Sequence, residues 1–204
     1  LANERRADVA IVVVGNHPLG GENQGWAKVE KPSYGREAKD RESIDLEDEA
    51  LAKRVMAANP NTVLVLMSSF PYAINWSQAN VPAIVHMTHC SQETGTALAD
   101  VLFGDFNPAG RTTQTWPKSL ADVPDLRDYD LRNGRTYLYS KAAPLYPFGF
   151  GKSYTTFEYK KLALSREALR TGETLELAVT VQNTGERDGE EVVQAYVSYP
   201  DSKV

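Results

Sequence analysis

The apolar run from Asp8 to Val14 constrains this chain most, because such runs form strands that are buried on both faces of a parallel sheet. Gly15 ends the run, and the segment that follows has no regular pattern up to about residue 42. Long loops inside compact domains are uncommon unless they are functional. Open α/β sheets bind ligands at the carboxyl ends of their strands. We therefore expect the chemistry of this protein to lie in this segment.

From residue 7 to about 116, short apolar runs alternate with helical patterns, which predicts βαβ units and a parallel sheet. The predicted strands are Asp8–Val14, Thr62–Ser68 and Val81–His86, with a further candidate at Arg111–Trp116. The predicted helices are Leu46–Ala58 and Gln92–Phe103, with a shorter one starting near Pro71. The expected N-caps are Asp45 or Ser43 for the first helix and Ser91 for the helix that ends before Gly104.

Beyond Phe157 the apolar residues alternate with polar ones, a period that is typical of strands. Two such segments, Leu175–Val181 and Val192–Val197, flank the turn signal Asn183-Thr-Gly185. The predicted fold class is therefore α/β, with a mainly parallel sheet flanked by helices as an α/β sandwich, followed by an incomplete antiparallel β-sandwich. We expect the α/β domain to cover residues 1–145, and a linker with the truncated β-sandwich to cover residues 146–204.

Composition excludes several classes of protein. The formal net charge is −5 over 204 residues, and basic residues do not cluster, so we expect no nucleic-acid partner and no membrane partner. The longest apolar runs fall far short of the roughly 20 residues that span a bilayer. Cys90 is the single cysteine, which excludes a disulfide within the chain. The N-terminus lacks both Met and a signal peptide, so we expect the chain to be part of a longer protein.

Within the irregular segment, the run Tyr34-Gly-Arg-Glu-Ala-Lys-Asp-Arg41 places Glu37 among basic residues. A carboxylate there can donate a proton or bind a hydroxylated ligand. The alternative is an exposed ion pair worth about 0 to 1 kcal/mol. Asp40 and Arg41 form either a structural pair that fixes the loop or a direct sugar contact. Trp26 either stacks on a sugar ring or packs within the loop.

Other chemistries find less support. The histidines His17, His86 and His89 lack the spacing of a metal site. One of His86 and His89 could reach a site at the end of its strand, but a buried, hydrogen-bonded histidine is the expected role. The early glycines do not follow the dinucleotide spacing, and the chain has no phosphate loop and no Gly-x-Ser-x-Gly elbow. A flavodoxin-like regulatory domain would need acidic residues after the first strand, where Asn16-His17-Pro18 stands.

Several motifs together resemble the C-terminal half of glycoside hydrolase family 3, which contains β-glucosidases and β-xylosidases. The resemblance covers nearly the whole chain, and the tail is similar to a fibronectin type III-like module. The motifs are Gly35-Arg-Glu-Ala-Lys-Asp-Arg41, Ser91-Gln-Glu-Thr-Gly95 with Ala97–Asp105, Asn107-Pro-Ala-Gly-Arg111, Tyr146–Phe157, and Val179–Val197 in the tail.

The resemblance implies a retaining β-glycosidase in which a separate (β/α)8 barrel supplies an Asp nucleophile and this chain supplies the acid/base. Glu37 matches the acid/base position, because it stands three residues before Asp40-Arg41 as in the family. Glu30 and Glu42 remain alternatives, since Arg36 and Ala38 depart from the commoner spelling of the motif. A raised pKa suits a general acid, so Arg36, Lys39 and Arg41 should point away from Glu37, or the nucleophile's charge should outweigh them.

By the same resemblance, Trp26, Arg36, Asp40 and Arg41 contact the substrate, a β-linked oligosaccharide or glycoside. A β-glucosidase is the first expectation, and a β-xylosidase or a noncatalytic carbohydrate-binding scaffold is the alternative. The resemblance implies no metal or organic cofactor, the barrel domain as a partner, and by analogy a homodimer. It implies an isolated chain that is inactive without the barrel, and it favours a periplasmic or secreted location.

Overall fold

The computed structural model describes residues 7–17, 36 and 41–199. The chain divides into two compact units. The first comprises residues 1–94, 112–148 and 204, and the second comprises residues 95–111 and 149–203.

The first unit is built on a parallel sheet of three strands: β1 (Ala10–Gly15), β2 (Thr62–Met67) and β3 (Ala83–Met87). The strand order is β1-β2-β3, with Ala10 opposite Thr62 and Val63 opposite Ala83. The middle strand is the most buried, because Leu64, Val65 and Leu66 expose none of their surface. The prediction of a parallel sheet is confirmed, and each strand lies within two residues of its predicted bounds.

One face of β1 packs into the core and the other does not. Val12 and Val14 are 5% and 6% exposed, whereas Ile11 and Val13 are 48% and 53% exposed. The run that predicted burial on both faces is therefore buried on one face within the described structure.

The helices of this unit are α1 (Glu49–Ala58), α2 (Asn75–Asn80) and α4 (Thr136–Tyr139), and α3 (Thr94–Phe103) begins at its boundary with the second unit. Single 3₁₀ turns lie at Leu120–Asp122 and Leu131–Asn133. The core side chains come from β1, β2, α1, the residues that flank α1 and α2, and one residue of the connector: Val12, Val14, Leu46, Ala52, Leu64, Leu66, Tyr72, Ile74, Val81 and Trp116.

The predicted N-caps of α1 are wrong. Ser43 and Asp45 bond to each other, with the Asp45 amide donating to Ser43 Oγ at 3.0 Å and Ser43 Oγ donating to the Asp45 carboxylate at 2.7 Å. These bonds close a turn several residues before the helix, whose N-cap is Asp48. Ser91 contributes its carbonyl to the start of α3, accepting from the amide of Thr94 at 3.2 Å.

Two further local predictions are wrong. The short helix begins at Asn75 rather than at Pro71. The strand expected at Arg111–Trp116 is reduced to one bridge, in which the amide of Trp116 donates to the carbonyl of Tyr146 at 2.9 Å. Because only Trp116 pairs with another segment, residues 111–115 form no ladder.

A carboxylate from α1 caps α2. Glu49 Oε1 accepts from the amide of Ser77 at 3.1 Å and from its hydroxyl at 2.9 Å. Ser77 is fully buried, so its donors cannot turn to water instead. Glu49 also forms an i,i+4 ion pair with Lys53 at 3.1 Å. The two helices are thus joined by this carboxylate and by a cation–π contact, in which Lys53 Nζ lies 5.1 Å from the ring centroid of Trp76.

We expect Glu49→Ala to lower the free energy of unfolding by about 1 to 3 kcal/mol, because it leaves two buried donors without an acceptor. Glu49→Gln keeps one acceptor oxygen and should cost less. Lys53→Ala removes the ion pair and the cation–π contact of Lys53 with Trp76, whose ring centroid lies 5.1 Å from Nζ, and should cost about 0.5 to 1 kcal/mol. Urea unfolding of the three variants tests the cap, and equal losses for Glu49→Ala and Lys53→Ala would show that the cap adds nothing to the contacts of Lys53.

The second unit contains most of α3 and a two-stranded antiparallel sheet, β4 (Phe157–Leu164) and β5 (Leu177–Asn183). Phe157 lies opposite Asn183, and a register shift falls between Lys160 and Ala163. This sheet confirms the fold class. The strand predicted at Val192–Val197 is wrong, because these residues are described without strand pairing.

Asn107 and Arg111 join the end of α3 to the rest of the second unit. Asn107 accepts from Ser153 Oγ at 2.8 Å and from the amide of Tyr154 at 2.7 Å, and donates to the carbonyl of Asp188 at 2.9 Å. Arg111 forms an ion pair with Glu191, whose side chain is 16% exposed. Glu191 also accepts from the hydroxyl of Tyr159 at 2.8 Å, and this bond raises the pKa of the phenol.

Arg111→Ala should lower the free energy of unfolding by about 3 kcal/mol or more, because it leaves a largely buried Glu191 carboxylate without its cation. The matched control is Arg127→Ala, since the Arg127 side chain is 90% exposed in its pair with Asp125 and should not be needed for stability. Denaturant unfolding followed by circular dichroism compares the two. Similar midpoints for both variants would contradict a structural role for the Arg111 pair.

Candidate functional site

Polar residues follow all three parallel strands at their carboxyl ends. Asn16 follows β1, Ser68 and Ser69 follow β2, and Thr88 and His89 follow β3. Because the strands are parallel and adjacent, these residues share one edge of the sheet, the edge at which α/β folds bind ligands.

The chain leaves β1 along a fixed path. Gly15 has a φ of +145°, and a Cβ on it would lie 1.8 Å from the carbonyl oxygen of Met67. The amide of the next residue, Asn16, donates to the same carbonyl at 3.1 Å. Glycine is therefore needed where the backbones of β1 and β2 approach each other. Asn16 is only 7% exposed, so the start of the irregular segment belongs to the packed interior.

His89 links the three strand exits. Its Nδ1 lies 2.6 Å from Ser69 Oγ, and its Nε2 bonds to the carbonyl oxygen of Asn16. A carbonyl can only accept, so Nε2 carries the proton. In the neutral imidazole, Nδ1 then accepts and the Ser69 hydroxyl donates. One side chain thus connects the residues that follow β1 and β2 from its place after β3.

His86 has a structural environment instead. Its Nε2 lies 3.2 Å from Ser68 Oγ, and its ring meets Trp116 edge-on with centroids 4.9 Å apart. His86 as a whole is exposed, so its pKa is lowered only by the partial desolvation of the ring beside Trp116, against the opposing effect of Ser68. Both histidines at the end of β3 are therefore hydrogen-bonded, and His89 is the one that bridges neighbouring loops.

The far side of the irregular segment is fixed at the same edge. The guanidinium of Arg41 lies 4.2 Å from the ring centroid of Phe70 and 4.5 Å from that of Tyr72, within cation–π range. Three residues later, the carbonyl of Ile44 accepts from the amide of Ala73 at 2.8 Å. Burial raises the pKa of Tyr72, although the charge of Arg41 acts in the opposite direction.

Of the predicted site residues, the structure describes Arg36, which is half-buried, and Arg41. Trp26, Glu37, Asp40 and the alternative acid Glu30 lie outside the described residues. The other alternative, Glu42, is exposed. What the structure brings together is the two flanks of the segment, Asn16 and Arg41, both at the end of β2.

Asn16, Ser69, Phe70 and Tyr72 were not among the predicted site residues. The available signal is weak, because a serine or an aromatic residue after a strand is common in any α/β fold. Their role depends on long-range contacts, such as the bond between His89 and Asn16, which spans 73 positions. The one signal in the sequence is that Ser69 and His89 both follow the carboxyl ends of predicted neighbouring strands.

A groove of about 480 Å³ lies beside this edge, in the connector of the first unit. Pro71, which follows Phe70, is one of its lining residues. Its wall includes the stacked rings of Tyr137 and Phe148, whose centroids are 4.7 Å apart. Its lining combines apolar and aromatic side chains with seven polar ones, among them Gln114 and Arg135. The composition suits a small ligand with an apolar face.

Within residues 7–17, 36 and 41–199, we find no group of three or more histidine, cysteine, aspartate or glutamate side chains that could hold a metal ion. The helices in these ranges are also too short and too polar to cross a membrane.

Residues 1–154 match the family model described as the glycosyl hydrolase family 3 C-terminal domain. The chain belongs to this family. It is 38% identical over 187 residues to a probable beta-glucosidase I from Aspergillus terreus, covering 82% of the chain. It is 39% identical over 160 residues to a xylan 1,4-beta-xylosidase from Xylanibacter ruminicola, covering 78% of the chain.

Solved structures agree with the family. A beta-glucosidase from Erythrobacter marinus superposes with a TM-score of 0.73 at 31% identity, covering 92% of the chain. A beta-glucosidase from Kluyveromyces marxianus in complex with glucose gives a TM-score of 0.68 at 31% identity, covering 91% of the chain. The chain spans 22% and 18% of the length of the two relatives above, and 24% and 22% of these two structures.

The lowered pKa of His86 makes stability depend on pH. The unfolded state, with a pKa near 6.5, binds the proton more readily than the folded state. Stability should therefore fall as the pH decreases from 6.5 towards the pKa of the folded state. We expect the melting temperature of His86→Gln to fall less steeply than that of the wild type across this range, while the two run parallel above it. Equal slopes at acidic pH would contradict the assignment.

Proposed function

We propose that this chain supplies the general acid/base of a retaining β-glycosidase, with Glu37 in that role. The observation that carries the proposal is the fixing of both flanks of the Glu37 segment at one sheet edge. Asn16 is held by Met67 and His89, and Arg41 by Phe70 and Tyr72. Membership in the family and the names of the relatives support the same reaction class.

In the proposed mechanism, a nucleophilic carboxylate from another domain attacks the anomeric carbon while Glu37 protonates the leaving oxygen. The two carboxyl groups of a retaining enzyme stand about 5 Å apart. After the leaving group departs, ionised Glu37 takes a proton from water, and the resulting attack releases the sugar. The same residue thus acts as an acid in the first step and as a base in the second.

The acid step requires that Glu37 keep its proton near neutral pH, so nearby positive charge is unfavourable. The guanidinium of Arg41 lies on the faces of two aromatic rings, and we propose that this contact keeps it away from Glu37. Those ring faces attract the cation and hold it on the side of the β2 exit. The orientations of Arg36 and Lys39 away from Glu37 stay a prediction.

We propose a terminal β-linked glucose of an oligosaccharide or glycoside as the substrate, with a β-xyloside as the alternative. One relative is named a beta-glucosidase and another a beta-xylosidase, and both names fit the same chemistry. Trp26, Arg36, Asp40 and Arg41 are the proposed sugar contacts. A (β/α)8 barrel would provide the nucleophile, so the isolated chain should be inactive. A homodimer and a fibronectin type III-like tail remain predictions.

The connector groove favours a second candidate function, a noncatalytic carbohydrate-binding scaffold. The outer faces of aromatic rings can stack on the apolar face of a sugar. The groove presents Tyr137, which is 46% exposed, stacked on Phe148. A protein that only binds sugar would retain this groove and would not need Glu37.

The deciding experiment is hydrolysis of 4-nitrophenyl β-glucoside and β-xyloside by the full-length protein and its Glu37→Ala variant, with and without azide. We expect Glu37→Ala to reduce activity by about 10² to 10⁴-fold, the usual contribution of a general acid or base. Azide needs no base to attack, so it should restore turnover and yield a β-glycosyl azide.

Glu42→Ala is the matched control, because Glu42 is an exposed carboxylate close to Glu37 in sequence. It should keep wild-type activity. Full activity of Glu37→Ala, together with loss in Glu42→Ala or Glu30→Ala, would move the acid/base role to that residue. A full-length protein without activity on either glycoside would favour the scaffold.

A further inference from the structure

His89 occupies an unusual place at the sheet edge. It follows β3, yet its two ring nitrogens bond to residues after β2 and β1. Ser69 lies 20 positions away in sequence and Asn16 lies 73 positions away. An imidazole is rigid, so these two bonds fix the distance between the two loops as well as their contact.

The bond to Asn16 acts on the backbone. Nε2–H donates to the Asn16 carbonyl, while the Asn16 amide donates to the Met67 carbonyl at 3.1 Å. Both peptide groups of this residue are therefore held, one by β2 and one by His89. The close approach of Gly15 to Met67 removes the remaining freedom at the strand exit. The direction in which the chain enters the segment containing Glu37 is set here.

The bond to Ser69 provides the opposing support. Ser69 directly precedes Phe70, one of the two rings that carry Arg41 at the other flank of the segment. His89 thus connects Asn16, at the start of the irregular segment, to residues 69–70. The same stretch also contacts Arg41, at the end of the segment. Removing the imidazole would loosen the relation between the two flanks without removing any group of the proposed reaction itself.

We propose that His89 is a positioning residue that keeps the acid/base carboxylate in place through Asn16 and Ser69. This inference rests on the proposed function. Misplacement of a catalytic group by about 1 Å can cost about 10²-fold in rate. The effect of losing His89 should appear selectively in the step that needs the acid.

Leaving-group dependence isolates that step. Cleavage of phenyl β-glucoside needs a proton on the leaving oxygen, whereas 2,4-dinitrophenolate leaves without one. The value of kcat/KM reports bond cleavage for both substrates. In the full-length protein, we expect His89→Ala to lower kcat/KM for phenyl β-glucoside by about 10 to 100-fold and to leave that for the dinitrophenyl glucoside nearly unchanged.

His89→Gln is the matched control, because its amide can donate to the Asn16 carbonyl and accept from Ser69. It should recover most of the loss. Ser69→Ala removes one of the two bonds and should show a smaller selective loss. The ratio of the two kcat/KM values does not depend on the amount of folded enzyme, so a partly unfolded variant still gives a valid result.

Equal losses on both substrates, or no loss, would overturn the role of His89. Parallel measurements on Glu37→Ala separate this inference from the proposed function. If Glu37→Ala shows the selective loss and His89→Ala does not, only the His89 inference fails. If His89→Ala is selective and Glu37→Ala is not, Glu37 is not the acid that His89 positions. In the double variant, His89→Ala should add no further selectivity to Glu37→Ala.

Discussion

The exit of β2 is the constraint on which the rest of the first unit depends. The carbonyl of Met67 receives the amide of Asn16, and its neighbourhood admits only glycine at position 15. A few residues later, Phe70 and Tyr72 carry the guanidinium of Arg41. The short stretch of chain after a fully buried strand therefore holds both flanks of the segment in which we propose the acid/base to lie. Because β2 is the central strand, the neighbouring strands of the sheet keep this anchor in place.

The motifs that identify the family have different physical roles. Asn107, Arg111 and Ser153 belong to its most specific motifs, and their contacts all join parts of the second unit. Such residues are restricted by packing and by the pairing of buried charges, and a sugar need not touch them. Most of the motif around Glu37 lies outside the described residues. Sequence similarity at Asn107, Arg111 and Ser153 is therefore evidence for the fold, whereas the proposed reaction depends on the motif around Glu37.

Patterns of apolar residues predicted the parallel sheet because burial on β2 leaves few alternatives for the chain. They failed where a hydrogen-bond partner decides the outcome. Ser43 and Asp45 have the residue types of caps but bond to each other, and Val192–Val197 alternates without a strand to pair with. The bond from His89 to Asn16 joins two loops that are far apart in sequence and adjacent in space, and residue types alone do not reveal such a contact. The parallel sheet was therefore predictable, whereas the hydrogen-bond partners of the caps and of the sheet edge were not.

The uncovered side of β1 has a practical consequence. Ile11 and Val13 lie on β1, and their branched side chains are exposed. In the described sheet, β1 has a neighbouring strand on one side only. Apolar surface on an open strand favours pairing with other molecules. In isolation, this polypeptide should self-associate as its concentration rises. Mild detergent, or a protein that covers β1, should keep it monomeric. Any assay of the isolated chain would measure the behaviour of that bare strand together with that of the site.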